Sequence, residues 1–236
     1  PHAKGGENSP FLSDIHLLVK WHENGKEIKE HPSSTIRNSQ YYFRPGLTFP
    51  YRTSRLSPSA LPAGCITGVA GMGIFPLSAT ASCLLALLNS AIVNDFVAIW
   101  LERVDMDSLF QAGKIQPVPI PQISDTYHID LEKYAKEQIR LRLTMARQQE
   151  ETRYFETVVF KGCVSLREVC EKAQEQAEQV VQNSLACFDG AESTVASLYG
   201  VDENEASQIS ERARKKFADT LESLGDGHYG IASREL

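Results

Sequence analysis

Residues 79–101, with the sequence ATASCLLALLNSAIVNDFVAIWL, are nearly all apolar and decide the fold class. Large apolar side chains recur there at helical spacing. A membrane span of this length would place Asn89, Asn94 and Asp95 within the lipid, and an ionised carboxylate at that depth is costly. The segment is therefore predicted to be the buried core helix of a globular domain, and no membrane partner is expected.

The sequence before this segment is typical of short strands. Residues 40–76 contain five prolines and five glycines, which predict short strands joined by tight turns and exclude long helices. Residues 11–30 alternate, with Ile15, Leu17, Val19 and Trp21 at one parity, and then reach Asn24-Gly25. This pattern predicts a strand followed by a short hairpin.

The sequence after residue 123 has a helical composition and contains no proline. Ser165 and Asp202 each stand three residues before a glutamate, which is a helix-start signal. Asp189-Gly190 and Gly200 are predicted breaks, giving helices near 129–157, 165–188, 191–199 and 203–223 that pack as a bundle or hairpin. The predicted fold is α+β: a mixed domain of short strands with a buried core helix over 1–122, then an all-helical segment over 123–236.

Length and composition fit a globular protein of one or two domains. The chain has 236 residues, of which 42% are hydrophobic and 23% charged. Its five cysteines are odd in number and form no CxxC pair, which favours a reducing, cytoplasmic location over a disulfide framework. Because the chain begins with Pro1 and has no basic and apolar leader, it is interpreted as a piece of a longer protein.

The charge is distributed unevenly along the chain. Residues 1–122 contain ten Lys and Arg against nine Asp and Glu, whereas residues 123–236 contain 14 against 21, so the net charges are +1 and −7. No acid occurs from His31 through Asn94, a stretch of 64 residues that contains four arginines. This stretch is therefore predicted to form a surface free of carboxylates.

The arginines of the acid-free stretch alternate with aromatic and amide side chains. Guanidinium groups suit phosphates and guanine edges, amides suit adenine edges, and aromatic rings stack on bases. The pattern fits nucleic acid, although composition alone equally allows core aromatics flanked by solvated arginines.

The sequence contains no recognisable catalytic or metal-binding motif. His16, His22 and His31 form no metal-ligand pattern, so no metal site is predicted. Asp105 and Asp107 are close in sequence but are interpreted as capping or solvated groups. Whether the chain is part of an enzyme is left open by its own residues.

A series of short strings resembles the region that follows the catalytic domain in adenine-specific DNA methyltransferases of the BREX PglX and type IIG restriction-modification kind. Their order and spacing over residues 4–202 carry the resemblance. The strings are Lys4-Gly5-Gly6, Val19-Lys20-Trp21, Gly25-Lys26-Glu27-Ile28, the run from Tyr41 to Phe49, the run from Leu61 to Ile66, Leu88-Asn89-Ser90, Gly113-Lys114-Ile115, Pro117-Val118-Pro119 and Leu198-Tyr199-Gly200-Val201-Asp202.

The resemblance implies a target-recognition module that reads a short sequence in double-stranded DNA, for restriction-modification or phage defence. In that family a separate catalytic domain or subunit binds S-adenosylmethionine and methylates adenine N6. The Asn-Pro-Pro-Tyr motif of that domain is absent here, so this chain is expected to hold no cofactor itself. The expected partners are double-stranded DNA and the catalytic methyltransferase domain or subunit.

Ten residues are predicted to contact DNA. Arginines are assigned to phosphates or guanine edges, amides and tyrosines to base contacts or a flipped-base geometry, and the lysine to the backbone. They are Arg37, Asn38, Gln40, Tyr41, Tyr42, Arg44, Tyr51, Arg52, Arg55 and Lys114. The alternative is a helical protein-interaction scaffold without DNA contact, which the acidic pI of about 5.6 favours.

Overall fold

A computed structural model of the chain describes residues 1–5, 9–77, 79–101, 108–156, 162–163 and 165–213. Small sheets occupy mainly the first half of this part of the chain and long helices the second half, which confirms the predicted α+β class. A further helical stretch covers 203–213. The elements are β1 (His2–Ala3), α1 (Lys26–Glu30), β2 (Gly46–Pro50), β3 (Arg52–Thr53), β4 (Ser59–Leu61), β5 (Ile66–Thr67), β6 (Gly71–Ile74), α2 (Ala81–Asn89), α3 (Ala91–Trp100), β7 (Ser108–Leu109), α4 (Ala112–Ile115), α5 (Asp125–Ala146) and α6 (Leu166–Tyr199).

The proline-interrupted stretch folds as predicted, into short strands with no long helix. β2 is the centre of a three-stranded antiparallel sheet in the order β4-β2-β6. β1 pairs with β5 in parallel, and β3 pairs with β7 antiparallel. Because β2 is the central strand, it fixes the positions of the segments that leave its two ends.

The two faces of the three-stranded sheet differ in chemistry. Leu47 and Phe49 of β2 are buried in the same apolar cluster as Leu85 and Leu88 of α2. The opposite face carries small residues, and a Cβ on Gly71 would lie 2.2 Å from the backbone nitrogen of Gly5. Glycine at position 71 therefore lets the N-terminal segment lie directly on the sheet.

The apolar segment 79–101 forms two helices instead of the single predicted helix. α2 and α3 are bent by 71° at Ser90, whose side chain accepts a hydrogen bond from the backbone N–H of Val93 at 3.2 Å and so begins α3. Among the described residues no single helix is long and apolar enough to cross a membrane, and only this bent pair reaches that length together.

The predicted strand and hairpin over residues 11–30 are wrong. Phe11 makes one isolated bridge to Ser59, and residues 12–21 pair with no strand among the described residues. The Asn24-Gly25 pair leads into α1, with Gly25 at a φ of 75° directly under the Trp21 ring. Ile15 is buried and Leu17, Val19 and Trp21 are partly buried, whereas Leu18 between them is 81% exposed. The alternation in sequence therefore does correspond to one more buried side, although these residues form no strand.

The two long helices, α5 and α6, pack against each other as a hairpin, one of the two arrangements predicted. Gln138 of α5 donates from Nε2 to the Ser184 carbonyl of α6 at 2.7 Å, and the Ser184 hydroxyl donates back to Gln138 Oε1 at 2.7 Å. Leu131 and Val195 join the cluster that contains Leu47 of the sheet. This apolar cluster thus spans the predicted domain boundary at 122/123.

The helix starts in this half were predicted better than the helix ends. Ser165 caps α6 by accepting from the Glu168 N–H at 3.2 Å, and Gly200 ends it at a φ of 64°. The predicted break at Asp189-Gly190 is wrong, because a Cβ on Gly190 would lie 2.7 Å from the Tyr134 hydroxyl and glycine serves close packing there. α5 ends at Ala146 and not near 157, and the part of the predicted 203–223 helix beyond 213 lies outside the described residues.

Candidate nucleic-acid interface

The ten predicted contact residues occupy three places around β2. Six lie before the first residue of this strand and form what we call the Arg44 end: Arg37, Asn38, Gln40, Tyr41, Tyr42 and Arg44. Tyr51, Arg52 and Lys114 lie beyond its last residue and form the Arg52 end, while Arg55 is partly buried and directs its guanidinium into the fold.

At the Arg44 end, aromatic stacking positions an arginine. Asn38, at a φ of 56°, begins the short helical turn Ser39–Tyr41. The Tyr41 ring stacks on Phe75 with centroids 4.9 Å apart, and the Arg44 guanidinium lies 5.7 Å from the centroid of Tyr41. The exposed guanidinium is held over a ring by a cation–π contact, which limits its conformational freedom without neutralising its charge.

A second aromatic group supports the same end. Trp21 meets Tyr42 edge-on at 5.2 Å and Phe43 at 6.0 Å, and Phe43 remains 45% exposed. The Phe43 backbone N–H donates to the Cys65 carbonyl at 2.8 Å, which fixes the turn before β2. Burial raises the pKa of the Tyr42 hydroxyl. Trp21, Phe43 and Phe75 were not predicted as site residues, although Phe43 stands between two that were.

At the Arg52 end, residues from three elements meet. Gln111 donates from Nε2 to the Tyr51 hydroxyl oxygen at 3.2 Å, and the Phe110 N–H donates to the Tyr51 carbonyl at 2.8 Å. Arg52 is exposed on β3 opposite Leu109. Lys114, a second exposed cation, lies in the first turn of α4, where its backbone N–H bonds to the Gln111 carbonyl at 2.9 Å. Sequence reasoning missed Gln111, which lies far from Tyr51 along the chain.

The exposed cations of both ends share one electrostatic property. Within the described part of the chain, no carboxylate forms an ion pair with any of them, whereas most ion pairs lie in α1 and the helical half. Of the three acids in residues 23–30, which precede the Arg44 end, Glu23 and Glu27 pair with Lys26 and Lys20. Glu30, the nearest in sequence, is exposed. The cations in question are Arg37, Arg44, Arg52 and Lys114. Asp105 and Asp107 lie outside the described residues.

The Arg44 end and the Arg52 end are separated by the length of β2, from Gly46 to Pro50. Four residue steps along a strand cover about 13 Å, which is close to four base pairs of B-form DNA. The predicted residues therefore form two groups, one beyond each end of β2, and not a single groove.

Arg55 is removed from the candidate interface because its guanidinium faces the interior. Its Nη2 donates to the Asn89 carbonyl at 2.6 Å, and burial lowers its pKa, an effect partly offset by the negative charges of Glu192 and Asp95. Only the position of the neighbouring helices distinguishes it from Arg52, so sequence could not separate the two.

Arg55, Asn89 and Glu192 belong to what we call the buried junction between the sheet and helices α2, α3 and α6. Glu192 is 2% exposed, and its Oε1 accepts from the Ala91 N–H at 2.7 Å, at the start of α3. Burial raises the pKa of Glu192 to about 7, with backbone donors and Arg55 acting in the opposite direction. Sequence reasoning did not single out Glu192, which looks like any charged residue of a solvated helix.

The comparisons with known proteins add no functional assignment. No family model and no curated protein sequence matches the chain.

Proposed function

We propose that this chain binds double-stranded DNA as the recognition module of an N6-adenine DNA methyltransferase system. One observation carries the proposal: both ends of β2 present exposed cations that form no ion pair with a carboxylate of the described residues, beside aromatic and amide side chains. A surface of this composition favours a polyanion, and the amides add the means to read base edges.

In the proposed complex the residues divide into two classes. Arg37, Arg44, Arg52 and Lys114 neutralise phosphates, and an arginine that reaches a guanine edge adds specificity. Asn38, Gln40, Tyr41, Tyr42 and Tyr51 are the candidates for base contacts. Because β2 holds its two ends about 13 Å apart, both ends can contact one face of a duplex together.

The parent enzyme and its setting follow from the resemblance alone. A catalytic domain or subunit would bind S-adenosylmethionine and carry out the methyl transfer in the cytoplasm, in restriction-modification or phage defence. This chain would supply DNA recognition, and its acidic helical half would face away from the DNA because of electrostatic repulsion.

The test is a binding titration with duplex DNA followed by fluorescence anisotropy. Arg44→Ala and Arg52→Ala are each expected to weaken binding roughly five- to 150-fold, the range of one good arginine contact at about 1 to 3 kcal/mol. Arg167→Ala changes an exposed arginine on α6 and is the matched control, with unchanged affinity. If the Arg44→Ala and Arg52→Ala variants both bind as tightly as the control, these two residues do not contact DNA.

A protein-interaction scaffold is the second candidate, favoured by exposed apolar side chains on α3. Ile99 is 75% and Trp100 58% exposed, and such residues near a helix end are typical of a protein contact. The scaffold role alone predicts binding to a protein partner that is insensitive to salt and no binding to DNA.

A further inference from the structure

A cavity of about 350 Å³ lies between the N-terminal segment and the small-residue face of the sheet. Its walls include β1, residues 13–17, β2 and the strand region that contains Ser57 and Ser59. This volume is within the range of small-molecule sites in proteins. The cavity is separate from the residues assigned to DNA.

Three hydroxyl groups share one wall of this cavity because of the strand register. Thr48 of β2 stands directly opposite Ser59 of β4. Directly opposed side chains lie on the same face of a sheet, with Cβ atoms about 5 Å apart. Ser57 precedes Ser59 by two residues, and the alternation along a strand places it on that face as well.

Two of these hydroxyls are buried without a hydrogen-bond partner. Thr48 is 3% and Ser57 1% exposed, and neither Thr48 Oγ1 nor Ser57 Oγ has a partner among the described residues. Buried hydroxyls are nearly always hydrogen-bonded, since a buried hydroxyl without a partner has lost its hydrogen bonds to water and gained none in the protein. Their position on the cavity wall therefore indicates a polar group that belongs in the cavity.

The charges on the wall favour an anion. Lys4, His2 and His16 line the cavity, and Asp14 is the one carboxylate among its described lining residues. The charge of Asp14 is offset by Arg153, whose Nε lies 3.5 Å from Asp14 Oδ1, although this oxygen is buried without a hydrogen-bond partner among the described residues. Asp14 Oδ2 lies 3.5 Å from Nδ1 of His16. Among the described lining residues, Lys4 is the cation without a carboxylate partner.

We propose that this cavity binds a phosphate group, with Lys4 supplying the positive charge and Thr48, Ser57 and Ser59 donating hydrogen bonds. An ionised phosphate offers only acceptors, and rotatable hydroxyls can all donate to it. The phosphate can belong to a small molecule or to a nucleic-acid backbone, since the contacts are the same. The inference does not depend on the proposed DNA interface, because none of its residues belongs to either end of β2.

The test uses the full chain and three probes: inorganic phosphate, 5′-dAMP and a duplex oligonucleotide. Potassium phosphate is expected to raise the melting temperature above that in potassium chloride of equal ionic strength. The double substitution Thr48→Val with Ser57→Ala should weaken phosphate binding at least tenfold by calorimetry. The Thr144→Val control, in which a hydroxyl on α5 is removed, should leave that binding unchanged.

A second measurement separates ligand binding from a purely structural role. In phosphate-free buffer the double variant should melt at the same temperature as the wild type or higher, because it removes two unpaired buried hydroxyls. If the double variant loses affinity for inorganic phosphate and 5′-dAMP but not for the duplex, the ligand is a small phosphorylated molecule. If it loses affinity for the duplex as well, the ligand is a backbone phosphate. The proposal is overturned if phosphate leaves the wild-type melting temperature unchanged, or if wild type and double variant bind all three probes equally.

Discussion

Arg52 and Arg55 are three residues apart in the same acid-free stretch, yet they belong to regions with opposite properties. Arg52 lies exposed at one end of β2 without a carboxylate partner among the described residues, whereas Arg55 donates to the Asn89 carbonyl inside the buried junction. The junction also holds the buried carboxylate of Glu192. The comparison teaches that the lack of acids in sequence marks a cationic surface only where the helices do not cover it.

The largest expected difference between the two regions is in folding stability. Arg55→Ala should lower the free energy of unfolding by about 3 kcal/mol, because it leaves the Asn89 carbonyl unbonded and Glu192 without its nearby positive charge. Arg52→Ala should change that free energy by less than about 0.5 kcal/mol, as an exposed substitution. Urea denaturation of both variants measures the difference, and equal losses would show that the junction is not a stabilising feature.

The second expected effect is a pH dependence that originates in the junction. The pKa of Glu192 is raised from 4.5 to about 7, so the folded state keeps a proton that the unfolded state loses between these values. Stability should therefore fall as pH rises from 4.5 to 7, by at most about 3 kcal/mol from this group.

Glu192→Gln is the matched variant for this pH dependence. Its amide oxygen can still accept the Ala91 hydrogen bond, but it does not titrate. Subtracting its stability curve from that of the wild type isolates the Glu192 contribution. A difference curve that is flat from pH 4.5 to 7 contradicts the buried-carboxylate account.

The smallest expected effect concerns the exposed region alone. Lys114→Ala should weaken duplex binding uniformly across DNA sequences and reduce the salt slope by about 1, as for one phosphate contact. Arg44→Ala should in addition change the preference among sequences if its guanidinium reaches a base. Titrations against several duplexes at two salt concentrations measure both effects, and a sequence-dependent loss with Lys114→Ala would assign that lysine a different role.

The features predicted correctly are those that local sequence controls. Proline and glycine spacing predicted the short strands, and the Ser165 cap predicted the start of α6, because turns and caps depend on a few neighbouring residues. Tertiary contacts decided the features that were missed. The close approach of Tyr134 requires glycine at position 190, which lies within a continuous helix and not at a helix break. The Trp21 ring packs over Gly25, which leads into α1 where a hairpin was expected.

The candidate interface was predictable only in composition. The arginines and tyrosines flanking β2 were found from sequence, but Gln111 joins them through a contact to a residue 60 positions away. Arg55 could not be told from Arg52, since burial under α2, α3 and α6 depends on packing between distant segments.

The central claim is tested most directly by the salt dependence of duplex binding by the wild-type chain. Four phosphate contacts from Arg37, Arg44, Arg52 and Lys114 predict that the logarithm of the association constant falls with the logarithm of salt at a slope of about −3.6. Anisotropy titrations between about 50 and 200 mM salt cover the useful range. A slope between about −2 and −4 agrees with the proposed interface, whereas a slope near zero, or no binding at the lowest salt, contradicts it.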